Sequence, residues 1–394
     1  MASFSVRFLG CKVSQLDAEG VREALVRGGH REVERDGDVA VVNTCCVTHE
    51  AVRKSRQAAT RAARSHARVY VTGCGANLEG EAFAGLPPNV VVVRRPSEAA
   101  PAFVAGDVGA IGCVGGEAPP ARTRAFVKIQ DGCSFSCRFC VIPLVRGGTR
   151  SRSAAAILDD VRRRVAAGQR EVVLTGINLG LFRHGPYRLP RLVREVAAVP
   201  GLLRVRLSSI EVNHVDDELV GALRGTPSVG RHLHVPLQSG DDDVLRAMGR
   251  RYTVARYLAR LERLGDFNLT TDVIVGFPGE DERAFERTLD TVERAGITKV
   301  HVFPYSPRPG TATAASDTVA PEVKRERGRR LRAWSDAASR AHWETWIGKD
   351  DEVLIDRPGR GYGHDYTPWF LEGPVGAFRR VRAAGVVEEG IRAA

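Results

Sequence analysis

Residues 131–140 read DGCSFSCRFC and carry Cys133, Cys137 and Cys140 in the spacing C-x3-C-x2-C, at the end of an apolar strand pattern, AFVKIQDG (125–132). A short loop with this spacing aims three thiolates at one point. A structural zinc site takes four protein ligands as a rule, and no fourth Cys or His follows nearby. A [4Fe–4S] cluster also usually takes four cysteines. With three, one iron keeps an open position for a small molecule, and a reduced cluster can pass that molecule one electron and so make a radical. A zinc site or a plain electron-transfer cluster is the alternative at this level.

Working downstream, the strand pattern recurs in EVVLTGIN, LRVRLSSI, HLHVPLQSG, LTTDVIVGF and TKVHVFPYS, with helical segments near 153–167, 189–198, 216–224, 241–264 and 281–295. Six βα units over 125–318 predict a partial (β/α)6 barrel, short of the eight of a closed barrel, with its chemistry at the carboxyl ends of the strands. Upstream, residues 1–105 alternate SVRFLG (5–10), VAVVNTC (39–45), RVYVTGC (68–74) and NVVVVRRP (89–96) with helical stretches. One of these helices has Ser14 as its expected N-cap, and another is Arg-rich around 50–65. The alternation predicts an α/β domain with a parallel sheet. Cys11, Cys45 and Cys74 each fall at the carboxyl end of a predicted strand, where open α/β sheets bind ligands, so three distant thiols can meet at one sheet edge. A Gly-rich linker is expected at 106–124, a basic helical extension at 319–348, and a small β module at 349–394.

The chain has 394 residues, too many for one core. Its formal charge of +11 and pI near 9.6 point to a polyanionic partner. Only six of the 58 basic residues are Lys. The rest are Arg, which forks onto phosphates and stacks on bases, although a GC-rich genome also favours Arg codons. The N-terminus lacks a signal-peptide pattern, and no apolar run approaches the ~18–20 residues of a membrane helix. A cytoplasmic protein with reduced thiols is expected.

With Phe139 before the last Cys and six βα units behind it, the 131–140 motif resembles the radical S-adenosylmethionine (SAM) enzymes. LGCKVSQLDAEG, VVNTCCVTHEA and VTGC together look like the N-terminal domain of the methylthiotransferases within that group. Further matches are QDGC, LTGINLG, SSIE, HVPLQSG, TTDVIVGFPGE and FPYSPRPGT. LGCKV is most similar to the branch acting on N6-threonylcarbamoyladenosine in tRNA. Three departures stand out: Ser14 where Asn is frequent, SSIEVNHV without the Pro that often follows the Glu, and a shortened RLGDFNLTTD.

The resemblance implies two [4Fe–4S] clusters, one on Cys133, Cys137 and Cys140 and one on Cys11, Cys45 and Cys74. It implies SAM on the open iron of the first, cleaved to a 5′-deoxyadenosyl radical, and sulfur or methylsulfide on the open iron of the second. Cys46 and Cys113 are left as bystanders. SAM would lie near Phe139, Thr175 and Gly176 (methionine amine), Ser209 and Glu211 (ribose), and Gln238 and Asp272 (pocket lining), with His234 packing on its strand. The substrate would be adenosine 37 of the tRNA anticodon stem-loop, methylthiolated at C2. A flavodoxin- or ferredoxin-type electron donor and a sulfur source are implied as partners, and no membrane. Basic residues that could meet RNA are Arg53, Lys54, Arg56, Arg61 and Arg64; Arg146, Arg150 and Arg152; and Arg325, Arg329, Arg330 and Arg332. The 349–394 module is similar to a short TRAM domain, an RNA-binding β-barrel, and Trp343 and Trp346 are expected in a core. The competing substrates are isopentenyladenosine in tRNA or a ribosomal protein. The competing class is a non-catalytic iron–sulfur RNA-binding protein.

Overall fold

The computed structural model describes residues 2–34, 36–78, 82–94, 104–106 and 123–394, and the chain divides into two units. One holds residues 1–119, 131–150 and 306–316; the other holds 120–130, 151–305 and 317–394. Cys113 and most of the expected linker lie outside the described residues.

The first unit is built on a wholly parallel sheet in the order β2-β1-β3-β4-β5, from β1 (Ser3–Phe8), β2 (Arg31–Glu32), β3 (Val39–Thr44), β4 (Arg68–Gly73) and β5 (Val90–Val92). Every residue of β3 is buried, as a central parallel strand covered on both faces requires. Val39 and Val41 pack with Val21 and Leu25 of α1 (Lys12–Arg27), while Ala40 and Val42 pack with Ala58 of α2 (His49–Ala63). Thr48 caps α2 by accepting the Ala51 N–H at 3.1 Å. The cap of α1 corrects the sequence expectation: Cys11 is the N-cap and Ser14 is buried in the first turn. The strand ends at Phe8, so only a three-residue turn precedes the helix.

The second unit carries six parallel strands, β6 (Arg124–Lys128), β7 (Glu171–Thr175), β8 (Arg204–Leu207), β9 (His232–His234), β10 (Asn268–Val275) and β11 (Ile297–Pro304). They form sheets β8-β7-β6 and β9-β10-β11, joined by a parallel bridge between Ser209 and His234. The fold is thus α/β with a partial barrel of six strands. Val127, Leu174, Val205, Leu233, Val273 and Val300 share one core with Ile157, Leu192, Leu219, Tyr257 and Phe285 of the covering helices. The helix expected over 241–264 is two helices, Asp242–Ala247 and Val254–Glu262. Between them Gly249 turns the chain at φ +75°, Tyr252 turns inward and donates its hydroxyl to the Leu237 carbonyl at 2.6 Å, and Thr253 caps the second helix by accepting the Arg256 N–H.

The 24-residue helix Pro321–Glu344 lies along β11, with Ser335 Oγ accepting the Val300 N–H and Ser339 donating to the Thr298 carbonyl. The chain then closes a five-stranded antiparallel-rich barrel from Asp350–Arg357, Arg360–Tyr362, Pro368–Phe370, Phe378–Val387 and Gly390–Ala393. Trp343 and Trp346 pack on its core of Val353, Ile355, Trp369 and Ile391.

Arginines of β6 and β8 hold this small barrel. Arg124 grips Asp356 with two bonds of 2.9 and 3.1 Å. Arg206 donates to the Gly363 and His364 carbonyls, and Arg204 to the Glu352 and Tyr362 carbonyls. Glu171, fully buried, accepts from both Arg204 and Arg206. With the amino ends covered, the carboxyl ends of the six strands are left for chemistry. No helix among the described residues is long and apolar enough to cross a membrane.

Two outcomes follow from this seam. Glu171→Ala strands two buried guanidiniums, a loss of about 3–5 kcal/mol for a broken buried pair, read as a fall in denaturation midpoint. Burial, aided by Arg204, Arg206 and Arg231, pushes the His364 imidazole down to about 4 from 6.5. The unfolded chain therefore takes up that proton first, and His364 removes stability as pH falls from 6.5 toward 4. Asp351, pushed up to about 6 by burial and by Asp365, works in the opposite sense. The difference between wild type and His364→Gln isolates the histidine: the variant should gain on wild type as pH falls through that window in thermal melts.

Candidate active site

Strand register brings the first three cysteines together. Phe8 pairs with Asn43 and Thr44 with Gly73, so β1, β3 and β4 end level and release Cys11, Cys45 and Cys74 from one edge of the sheet. Gly10 lies against Cys45: a Cβ there would stand 3.3 Å from its Sγ. Thr44 Oγ1 donates to the Thr72 carbonyl at 2.6 Å and accepts the Ala76 N–H at 3.1 Å. This fixes the short helix α3 (Cys74–Asn77), of which Cys74 is the first residue. Gly73 has φ +86°, and a Cβ there would meet Asn43 Oδ1 at 1.9 Å. Only glycine lets β4 turn there.

Electrostatics agree with convergence. Burial pushes the Cys45 thiol up, and the thiols of Cys74 and Cys11 add to that rise while the Val47 N–H opposes it. Cys74 is pulled below the ordinary thiol value, chiefly by a hydrogen bond from the Cys46 thiol, with Arg146 assisting against burial. Cys46 itself is fully buried beside Cys74, Leu78, Val141 and Val145. Its thiol donates to Cys74 within this apolar cluster. Three strand-end thiols, one already biased toward thiolate, suit an iron–sulfur cluster, whose ligands are thiolates.

The loop with Cys133, Cys137 and Cys140 belongs to the same unit as these three. Ser134 and Thr149 exchange reciprocal bonds of 3.0 Å between backbone N–H and side-chain oxygen, and Cys133 N–H donates to the Gly147 carbonyl. Gly132 has φ +67°, and a Cβ there would sit 2.1 Å from the Gly148 carbonyl oxygen. The loop ends in helix α4 (Ile142–Arg146); Val145 of this helix and Val141 just before it pack on Cys74 and Leu78, while Asn77 Nδ2 donates to the Val145 carbonyl. Phe139 stands between Arg138 and Cys140 in this loop. The helix carrying Cys74 and the helix following Cys140 are therefore packed neighbours, a closeness that lay outside any sequence pattern.

Arg146 seals that contact. Its guanidinium donates to Cys74 Sγ at 2.9 Å, to both Asp131 oxygens at 3.0 and 3.1 Å and to Asp17 at 2.7 Å, and it is buried. This corrects the expectation that Arg146 belongs to a surface for RNA: two carboxylates and a thiol hold it inside. Arg152 pairs with Asp160, and Arg325, Arg329 and Arg330 are paired with Glu322, Glu326 and Glu282. Arg53 and Lys54 pair with Glu50, and Arg56 donates to two carbonyls. Arg61, Arg64 and Arg332 are exposed.

In the second unit Thr175 ends β7, and Gly176, Ser209, Glu211 and Gln238 follow the carboxyl ends of their strands, whereas Asp272, expected after its strand, lies inside β10. Gly176 follows β7, and a Cβ there would meet Gln130 Oε1 at 2.9 Å. Thr175 is fully buried and donates its hydroxyl hydrogen to the Val173 carbonyl, so its side-chain oxygen can meet a ligand only as an acceptor. Ser209 sits on the bridge to His234, and Glu211 accepts from the backbone and side chain of Asn213. Gln238 adopts φ +72° and bridges Val273. Asp272 Oδ2 lies 3.2 Å from His234 Nε2, and His234 Nδ1 lies 2.9 Å from Thr270 Oγ1. His234 is therefore no packing residue but a polar partner of Asp272. His301, on β11 and unremarked in the sequence, joins them, its ring centroid 5.5 Å from that of His234. The clue was available: Thr270, Asp272 and His301 share the period-2 face that alternates with buried Val273 and Val300.

Comparison with known proteins matches residues 127–292 to the radical SAM superfamily and residues 3–94 to the uncharacterized protein family UPF0004. The chain is 35% identical to threonylcarbamoyladenosine tRNA methylthiotransferase MtaB of Thermotoga maritima, covering 99% of this chain and 96% of that one. Against MtaB of Bacillus subtilis it is 35% identical, with 90% and 84% coverage. Against the tRNA-2-methylthio-N(6)-dimethylallyladenosine synthase of Paracoccus denitrificans it is 34% identical, with 96% and 93% coverage. Among solved structures, the radical SAM methyltransferase TsrM of Kitasatospora setae, with cobalamin and a [4Fe–4S] cluster bound, aligns with TM-score 0.54 at 16% identity over 79% of this chain and 77% of that one; at that identity the likeness speaks for the fold. A radical SAM module, a distinct N-terminal cysteine domain and near-full-length similarity to these enzymes place the chain in the radical SAM methylthiotransferase family, enzymes that transfer sulfur-containing groups with SAM and iron–sulfur clusters.

Proposed function

We propose that this enzyme adds a methylthio group to C2 of N6-threonylcarbamoyladenosine at position 37 of the tRNA anticodon loop, in the cytoplasm. The observation that carries the chemistry is the level release of Cys11, Cys45 and Cys74 from three parallel strands, beside the helix that follows Cys133, Cys137 and Cys140. Similarity over nearly the whole length to enzymes named for threonylcarbamoyladenosine supports the substrate. The comparable identity to a dimethylallyladenosine synthase keeps isopentenyladenosine tRNA as a second reading.

Each triad would hold one [4Fe–4S] cluster. When bound, clusters and SAM supply the one-electron chemistry that an unreactive aromatic C–H requires. The chain's own residues bind and orient. Gly176 lets Gln130 and Leu179 pack close against the end of β7, Asp272 faces His234 at 3.2 Å, and Glu211 stays fixed by Asn213. A flavodoxin- or ferredoxin-type donor would deliver electrons, and an external source would renew the sulfur. Residues 349–394 would bind RNA through exposed Arg379 and Arg382 on the strand Phe378–Val387 of the small barrel. An anticodon loop suits such an enzyme because its bases can be splayed out to reach a pocket.

Anaerobic iron and sulfide counts test the ligands. Wild type should bind about eight irons per chain, four for each cluster of the cubane type, and Cys45→Ala and Cys133→Ala should each lose about half. Gly73→Ala should also lose about half by displacing Cys74, whereas Gly221→Ala, a helical site with open space around it, should lose none. Nucleoside mass spectrometry of tRNA from a deletion strain tests the substrate: methylthio-threonylcarbamoyladenosine should vanish, and its persistence defeats the assignment. Arg379→Gln with Arg382→Gln should weaken anticodon-arm binding and flatten its salt dependence by about one unit of slope per charge removed.

A further inference from the structure

Arg146 is a buried cation that bonds Cys74 of one cysteine site and Asp131 at the start of the loop that carries the other. Its Nε donates to Cys74 Sγ at 2.9 Å. Its Nη1 binds both oxygens of Asp131, two residues before Cys133, and its Nη2 binds Asp17 on α1. Only 4% of its side chain is exposed, with 5% for each carboxylate. The chain supplies two negative charges for one positive, so the group is over-neutralised without a thiolate and would be more so with one. Asp131 also accepts its neighbour's N–H, from Gly132, at 2.8 Å, and Arg146 donates all three edges of its guanidinium. Nothing in this arrangement rotates without leaving a buried charge unpaired.

A hydrogen bond to a cluster sulfur, and positive charge near it, stabilise the reduced, more negative cluster and raise its potential. Charge-assisted bonds in a dry site are the strong ones. We propose that Arg146 is a positioning residue that raises the reduction potential of the cluster held by Cys11, Cys45 and Cys74, and ties that setting to the Cys133 loop through Asp131. This rests on the ligand assignment above. The consequence is a poise: the cluster that would carry sulfur is kept easier to reduce than its three thiolates and two carboxylates alone would allow.

The test isolates that cluster. In a Cys133→Ala/Cys137→Ala/Cys140→Ala background, reconstituted anaerobically, iron content is measured first and the cluster is then titrated electrochemically by electron paramagnetic resonance. About four irons per chain with Arg146 intact upholds the ligand assignment, and no bound iron sinks that assignment rather than the role of Arg146. With Arg146→Gln added, iron should remain while the reduced-to-oxidised ratio at fixed potential falls about tenfold, equivalent to 59 mV downward for one electron. Arg146→Lys, which keeps the charge and loses the fork, should recover part of the shift. Should Arg146→Gln fail to fold, Asp17→Asn gives the reading: it removes a negative charge and leaves the bond to Cys74, so the potential should rise. An unchanged potential in folded, iron-loaded Arg146→Gln, or in Asp17→Asn if that variant is the one measured, overturns the proposal.

Discussion

The first unit depends on a charge that water cannot reach. Arg146 sits in the interior with two aspartates and a thiol around it, and each donor of its fork has a fixed acceptor. An isolated buried guanidinium is costly, and a buried pair is worth keeping only when its geometry is complete. Here completeness ties together segments far apart in the chain: α1 through Asp17, the exit of β4 through Cys74, and the loop of Cys133 through Asp131. Apolar contact of Val141 and Val145 with Cys74 and Leu78 surrounds the polar centre and keeps its local dielectric low.

The second unit uses arginine in a different way. Arg124 and Arg204 start strands of the partial barrel, Arg206 lies further along the second of them, and all three reach carbonyls or carboxylates of the C-terminal barrel. Arg124 also stacks over the Tyr362 ring at 4.6 Å, and Arg206 over the Tyr366 ring at 4.8 Å. These contacts seat the small barrel on the amino ends of the strands. The arrangement separates labour by strand polarity: stability at one end, and at the other the loops with Gly176, Ser209, Glu211 and Gln238.

A share of the positive charge that suggests a nucleic-acid partner is therefore structural. Arg146, Arg204 and Arg206 are buried, and several helix arginines are matched by glutamates one turn away. What is left for a polyanion is a smaller set, including Arg61, Arg64, Arg379 and Arg382, which are exposed. Net charge describes the whole chain; only the fold sorts charges into those that hold the protein together and those that meet solvent.

The α/β class, the six strands of the partial barrel and the placement of six cysteines at strand ends or in one loop were all readable in the residues, because apolar period, Gly turns and thiol spacing are local properties. Helix starts were read less well: Cys11 rather than Ser14 caps α1, since the cap is set by where β1 lets go. The use of Thr175 on its own strand, the partnership of His234 with Asp272 and His301, and the burial of Arg146 were not readable. Each joins residues from tens to more than a hundred positions apart or depends on which face a strand turns inward. Short-range patterns dictated which groups the chain owns; long-range packing dictated which of them meet, because burial, and with it the worth of every charge and thiol, exists only once distant segments have excluded water together.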